Sequence, residues 1–438
     1  MAVSRFAPTI GLKPDWVVIV LPTALATRTL HTNAPILITA FLVGTAFIRK
    51  PEGRFHVQAG PLLCLFSACA IVFSRADSYP TRTTIVLVGV LVTRLIITVD
   101  ARRIIASLID GFGLYLLANV LFEAAGIRSA PERSGSLTES TGFTRTFFPL
   151  TQGLNTPSII AGAYLVASIF YMREVGLLRR SLRITCVAAA IIVIIGVGSR
   201  TALSVTALLS ITVVFLPFIS RWIAQAATLL AATSALVLPS VANAVEFAVV
   251  PLAYLAPGRD TTESGVVTLQ GREYIWDSSI KYWNEHVHYL PDILLGFGQG
   301  GQYKSGVSLT YINIVRGLGP HPEYTTLHNS FLQQLFDGGI LGWLLLAIAT
   351  YWASVRLSER RGEWGHWGLS AIFAMTAVLL GSTTEATMAP GVFAESFWLL
   401  LVLIGIACQS VRNQSENRQS PSSISITRKD SGFQAPDM

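Results

Sequence analysis

The sequence predicts an all-α fold: a polytopic integral-membrane helical bundle of about twelve transmembrane helices, with a long loop on one side containing amphipathic helix. Three observations predict it. Only 13% of the 438 residues are charged, about half the share usual in soluble domains. Hydrophobic residues make up 52% and the mean hydropathy is +0.55. These residues are gathered in runs of roughly the 17 to 25 residues that carry a helix across a bilayer. Twelve runs use about 240 residues, which leaves room for one modest extramembrane element and none for a separate catalytic domain of ordinary size. A cytosolic enzyme, a secreted disulfide scaffold and a disordered chain are excluded.

In order, the runs read as spans at 16–30, 34–48, 57–74, 83–99, 104–125, 156–172, 184–198, 202–220, 222–241, 326–352, 369–388 and 392–410. The first contains Pro22 and lacks a small-residue cleavage site, so it reads as a retained helix. The chain divides into helices 1–5 over 1–125, an outer loop over 126–155, helices 6–9 over 156–241, a long outer loop over 242–325, helices 10–12 over 326–410 and a tail over 411–438. The tail has too little apolar content to fold and is expected to be disordered. Cys64, Cys69, Cys186 and Cys408 all lie inside apolar runs, which suits packing and offers no disulfide framework or zinc spacing.

The net charge of +7 is explained by topology. With the N-terminus inside, the inner segments hold nineteen Lys and Arg residues, among them Arg49, Arg103, Arg221 and Arg361, against seven in the short outer segments. This bias puts both termini in the cytoplasm and the two long loops on the outer face of the cytoplasmic (inner) membrane. No clustered basic face is present, so nucleic acid is not an expected partner.

The loop over 242–325 is the one sizeable stretch outside lipid. Its middle piece, GREYIWDSSIKYWNEHVHYLPD, spaces Ile275, Trp276, Ile280, Tyr282 and Trp283 as an amphipathic helix would; such a stripe suits the outer leaflet, where Trp and Tyr concentrate. Gly296 to Gly301 match Gly-x-Gly-x-x-Gly, but the strand and helix that would make it a nucleotide site are missing, and the stretch reads as a flexible turn near the acceptor. No cofactor is expected. The chain holds no Asp-x-Asp pair and its loop acids show no metal-ligand spacing, so no metal is expected either.

Three cationic residues stand at helix entrances on the outer face. Arg200 follows the seventh span, with Ser199 placed to cap the eighth helix; Arg272 opens the amphipathic segment; His328 lies at the mouth of the tenth span. Two guanidiniums and an imidazole suit a diphosphate leaving group, because Arg forks match phosphate oxygens and keep their charge in a dry setting. A lipid diphosphate sugar brings its own leaving group, so the protein must supply charge stabilisation and a base for the attacking hydroxyl. His328, at the positive end of a helix, suits the base. Asn329 beside it, and Glu385 and Glu395 around the last outer turn, are candidates to line the acceptor cavity. Arg94 and Asp110 lie at similar depth in adjacent spans and are expected to pair.

The SRTAL after a span, the GR before an aromatic segment, the LLGFGQGG turn and above all LHNSFLQQLFDGGILGWLLL resemble the O-antigen ligase and O-antigen polymerase superfamily of polytopic membrane glycosyltransferases. The resemblance covers roughly residues 140–355. It implies a GT-C-like, metal-independent, inverting transfer of a glycan from an undecaprenyl diphosphate donor to a hydroxyl-bearing glycan or lipid acceptor, with Arg200, Arg272 and His328 as the catalytic residues. Arg200, Arg272 and, by its place before the Asn155-Thr156-Pro157 turn, Arg145 are the implied diphosphate-binding residues. No outer-loop arginine stands eleven positions before a glycine, a spacing associated with some of the polymerases, which tilts the reading toward a ligase. The rival class is a twelve-helix transporter or flippase, which would depend on intramembrane carboxylates such as Asp110 and Glu123.

Overall fold

The computed structural model describes residues 13–52, 55–76, 79–127, 145–171, 177–253, 272–312 and 325–410. The tail expected to be disordered lies outside them, as do parts of both outer loops. The described residues are overwhelmingly helical: α1 (Trp16–Ala26), α2 (Ala34–Ile48), α3 (Gly60–Ser74), α4 (Tyr79–Thr98), α5 (Ala101–Ala124), α6 (Thr156–Tyr171), α7 (Leu177–Val197), α8 (Arg200–Phe215), α9 (Ser220–Ala253), α10 (Arg272–His286), α11 (Leu290–Leu295), α12 (Ser330–Trp364), α13 (His366–Gly381) and α14 (Glu395–Cys408). One-turn helices at Gly301–Lys304 and Ser308–Tyr311 link α11 to α12.

Helix starts follow side-chain caps that satisfy otherwise orphaned N–H groups. Asp15 accepts from Val17 N at 3.1 Å, Asp100 from Arg102 N at 2.8 Å and Ser199 from Ala202 N at 3.3 Å. By length and composition, four described segments suffice to cross a membrane: Tyr79–Thr98, Ala101–Ala124, Arg180–Val197 and Ser330–Trp364. Seven shorter apolar helices accompany them. Their outward faces keep large apolar side chains exposed, such as Leu37, Phe41 and Ile48 on α2 and Ile211, Val214 and Phe215 on α8. A surface of that kind matches lipid better than water.

Polar contacts sort the helix ends into two sets. At one end Arg49 bonds Asp15 at 2.6 Å, Arg103 pairs with Glu52, Ser358 donates to Arg221 O at 2.9 Å and Gln409 donates to Ile96 O at 2.8 Å. His56–Val57 and Gln409–Ser410 close this end as a two-residue antiparallel ladder. At the other end Arg75 bonds Asp292 at 2.9 Å, Arg145 donates to Val197 O at 2.8 Å and Ser330 N to Ser382 O at 3.0 Å. Successive long helices alternate between these ends.

Three expectations are corrected. Arg183 of α7, not Arg94, holds Asp110, with guanidinium contacts of 2.8 and 2.6 Å; Arg94 faces α2, donating to Ala46 O at 3.3 Å and lying over the Phe47 ring. Depth along a helix does not fix azimuth, and the Asp110 face of α5 turns toward α7. The aromatic stripe of α10 is packed on protein: Trp276 is fully buried and donates its indole N–H to Leu327 O at 2.9 Å, while Trp283 stands edge-on to Phe336. Periodicity marks an apolar face without saying whether lipid or another helix covers it.

The third correction concerns GFGQGG. Gly339 interrupts α12 with a φ of 64°, which frees carbonyls of the preceding turn. Phe297 N donates to Phe336 O at 2.8 Å and Gly298 N to Asp337 O at 2.9 Å. Gly296, Gly298 and Gly300 all have positive φ, so the turn is a fitted clamp on the kink and not a flexible acceptor loop. A Cβ on Gly339 would collide with the backbone of Leu294 and Leu295. Gly339→Ala is therefore expected to cost more than the roughly 1–2 kcal/mol of a left-handed non-glycine residue, read as a lowered melting temperature. Gly44→Ala, with open space around it in a regular helix, should be neutral or stabilising.

Candidate active site at one end of the bundle

α13 ends at Gly381, earlier than the span predicted to 388, so Glu385 lies in the turn before α14. It is buried, and the other groups gather on it. Arg272, the first residue of α10, pairs with Oε1. Asn155 Nδ2 donates to the same oxygen at 2.6 Å, and His328 Nδ1 lies 3.4 Å from Oε2. Arg145 closes the ring, donating to Asn155 Oδ1 at 2.6 Å. Side-chain exposure rises from 8% for Glu385 to 15% for Arg272 and 21% for His328, so the carboxylate is the floor and the imidazole faces the opening.

The backbone explains how His328 arrives there. Its φ is 48°, a left-handed conformation that costs a non-glycine residue of order 1–3 kcal/mol and persists where surroundings over-determine it. They do so here. Asn329, fully buried, caps α12 by accepting from Phe331 N and Leu332 N at 3.0 and 2.9 Å, and donates to Ser234 Oγ and Thr383 O at 2.7 and 2.9 Å. With its side chain fully engaged, it positions its neighbour and does not offer a polar group to an acceptor cavity. Ser330 Oγ donates to Glu385 O at 2.8 Å, which ties the start of α12 to the turn that carries the carboxylate.

Charge balance is asymmetric. Burial alone would raise the Glu385 pKa, but Arg272, the His328 hydrogen bond and charge, and Arg145 together outweigh it and hold it below the ordinary value of 4.5. Burial lowers Arg145, an effect Glu385 offsets and Arg272 reinforces. Because the folded Glu385 value lies below the unfolded one, its stabilising contribution is complete above about pH 4.5 and is lost as pH falls through the folded value. Glu385→Ala would strand Arg272 beside Arg145 and is expected to cost about 3–5 kcal/mol, measurable as a drop in melting temperature at neutral pH that shrinks on acidification.

Arg200 stands apart from this balance. It opens α8, and its Nε and Nη2 are buried without a hydrogen-bond partner among the described residues. The adjacent Thr201 accepts from Thr384 Oγ1 at 3.0 Å, which brings the start of α8 beside the turn holding Glu385. Glu395 belongs to a neighbouring contact, accepting from Gln152 N at 3.0 Å. The strap over 145–155 thus touches both carboxylates, but only Glu385 meets His328 and Arg272. Sequence reasoning missed Asn155 as the link between them. The signal available was its position before Thr156-Pro157, where a proline in the first turn marks a helix start.

Residues 185–347 match the O-antigen ligase family model. The match supports the O-antigen ligase superfamily. It spans more than a third of the chain and includes Arg200, Arg272, His328, Asn329 and the first half of α12 with its kink at Gly339, while Arg145, Asn155 and Glu385 lie outside it. An O-antigen ligase or polymerase-like membrane enzyme, working on glycan and lipid-linked substrates, is what this family supports. No curated protein matches the chain.

Proposed function

We propose that the protein transfers a glycan from undecaprenyl diphosphate to a hydroxyl acceptor, at the outer face of the cytoplasmic membrane. Both termini lie in the cytoplasm, and the twelve apolar segments cross the bilayer in alternation. The observation that carries the reading is the contrast between Arg200, whose Nε and Nη2 are buried without a hydrogen-bond partner among the described residues, and Arg272, which Glu385 already pairs. Buried donors left unpaired are costly unless a ligand supplies the acceptor. A diphosphate fits it, since its oxygens accept from a planar guanidinium in pairs.

In this scheme Glu385, ionised and able only to accept, fixes the hydrogen of His328 on Nδ1. Nε2 keeps its lone pair and takes the proton of the acceptor hydroxyl. The hydroxyl oxygen bonds to the anomeric carbon as the bond from that carbon to the diphosphate oxygen breaks. The lipid diphosphate leaves with its charge held by Arg200 and supported by Arg272 and Arg145. One displacement inverts the anomeric centre, and no metal is required when cationic side chains meet the leaving group. A ligase reading is preferred to repeat-unit polymerisation on the arginine spacing given above.

Cells lacking the gene should accumulate polyprenyl-linked glycan and lose the finished polymer. An unchanged lipid-linked pool with normal polymer would contradict the proposal.

A further inference from the structure

We propose that Trp276 and Gln333 are positioning residues that grip the peptide units on either side of Leu327 and thereby set the reactive geometry of His328. The inference rests on the reading of His328 as the base. Leu327 is fully buried and immediately precedes the strained histidine. Its carbonyl accepts the Trp276 indole N–H at 2.9 Å, and its amide N–H donates to Gln333 Oε1 at 3.2 Å. The residue is therefore held at both its donor and its acceptor, and a rotation of the chain that relaxed the positive φ of His328 would break one bond or the other.

Neither gripping side chain is free to move. Gln333 is 1% exposed; its amide nitrogen donates to Gln302 Oε1 at 2.6 Å and Asp337 Oδ1 at 2.9 Å. Since Asp337 Oδ1 also accepts from Gly301 N at 2.8 Å, the amide is oriented with its oxygen toward Leu327. The glycine turn that clamps the kink of α12 is thus connected, through Asp337 and Gln333, to the residue before His328. Trp276 supplies the other connection. It lies four residues after Arg272, so both occupy one face of α10. That face delivers Arg272 to Glu385 and the indole to Leu327 O. A single helix face fixes the guanidinium and the imidazole relative to one carboxylate.

The test uses Trp276→Phe, which keeps an aromatic ring and removes the N–H donor, and Gln333→Met, which keeps the length and removes both hydrogen-bonding ends. Full-length purified variants are assayed with lipid-linked glycan extracted from cells lacking the gene, with membranes of those cells as acceptor source. Each variant should lower kcat by about 10- to 100-fold, the scale of a small misplacement of a catalytic group, with KM for the lipid-linked glycan within about twofold of the native protein. In a His328→Ala background neither substitution should lower the residual rate further, because residues acting through one group are not additive. Wild-type kcat in both variants, or a further loss of similar size in the His328→Ala background, would overturn the inference. Should Gln333→Met fail to accumulate, Trp276→Phe decides by the same two readouts. Full activity of His328→Ala itself would instead overturn the reading on which the inference rests.

Discussion

His328→Ala is expected to lower kcat for glycan transfer by about 10²- to 10⁴-fold, the usual contribution of a general base, while binding of the lipid-linked donor is retained. The separation follows from the charges. Donor affinity is assigned to the arginines, whereas the imidazole acts on the acceptor hydroxyl. The effect should not be a folding artefact, since the cap and tethers at the start of α12 belong to Asn329 and Ser330. Alanine also relieves Glu385 of one hydrogen-bond partner at 3.4 Å while leaving Arg272 and Asn155 on it. The variant is therefore expected to melt close to the native protein. His328→Asn should be equally inactive: asparagine tolerates the left-handed φ but has no basic nitrogen to take the proton. Rate loss with restored backbone comfort would separate chemistry from conformation.

The second large effect is expected at Arg200. Arg200→Gln should weaken binding of undecaprenyl diphosphate and lower kcat/KM for the lipid-linked donor by about 10²- to 10³-fold, the scale of losing a preorganised group that meets developing negative charge. Arg200→Lys should recover only part of this loss, because an ammonium cannot reproduce the planar fork. Stability moves in the opposite direction to activity. Removing a guanidinium whose buried Nε and Nη2 lack partners among the described residues relieves a desolvation cost, so Arg200→Gln is expected to melt no lower than the native protein. Glu385→Ala should behave differently and lose stability, because Arg272 depends on that carboxylate. Equal destabilisation by both substitutions would contradict the assignment of Arg200 to ligand and Glu385 to scaffold.

Much of this organisation is legible in the sequence. Hydropathy runs locate the long helices to within a few residues at most ends, and Ser199 caps α8 as its position suggests. Arg200, Arg272 and His328 are visible as charges at helix mouths that topology does not require. Glu385 as the hub is not visible, because its partners are distant in sequence: Asn155 is 230 positions away, Arg272 113 and His328 57. No local pattern encodes a meeting of that kind. The burial of Trp276 is hidden for another reason, since an amphipathic period is the same whether the apolar face meets lipid or α12. The mistaken pairing of Arg94 with Asp110 shows the same limit across a helix: spacing gives height, and packing alone gives direction. The glycine turn was readable as a turn, but its fit to Gly339 depends on contacts between segments some 40 residues apart.

The most direct test of the central claim is a count of products by the purified protein in liposomes, supplied with lipid-linked glycan and a hydroxyl acceptor in the presence of a chelator. The account predicts one undecaprenyl diphosphate released for each glycosidic bond formed, with release by His328→Ala slowed about 10²- to 10⁴-fold. Movement of intact lipid-linked glycan between leaflets, with no diphosphate lipid released, would contradict it and favour a transporter.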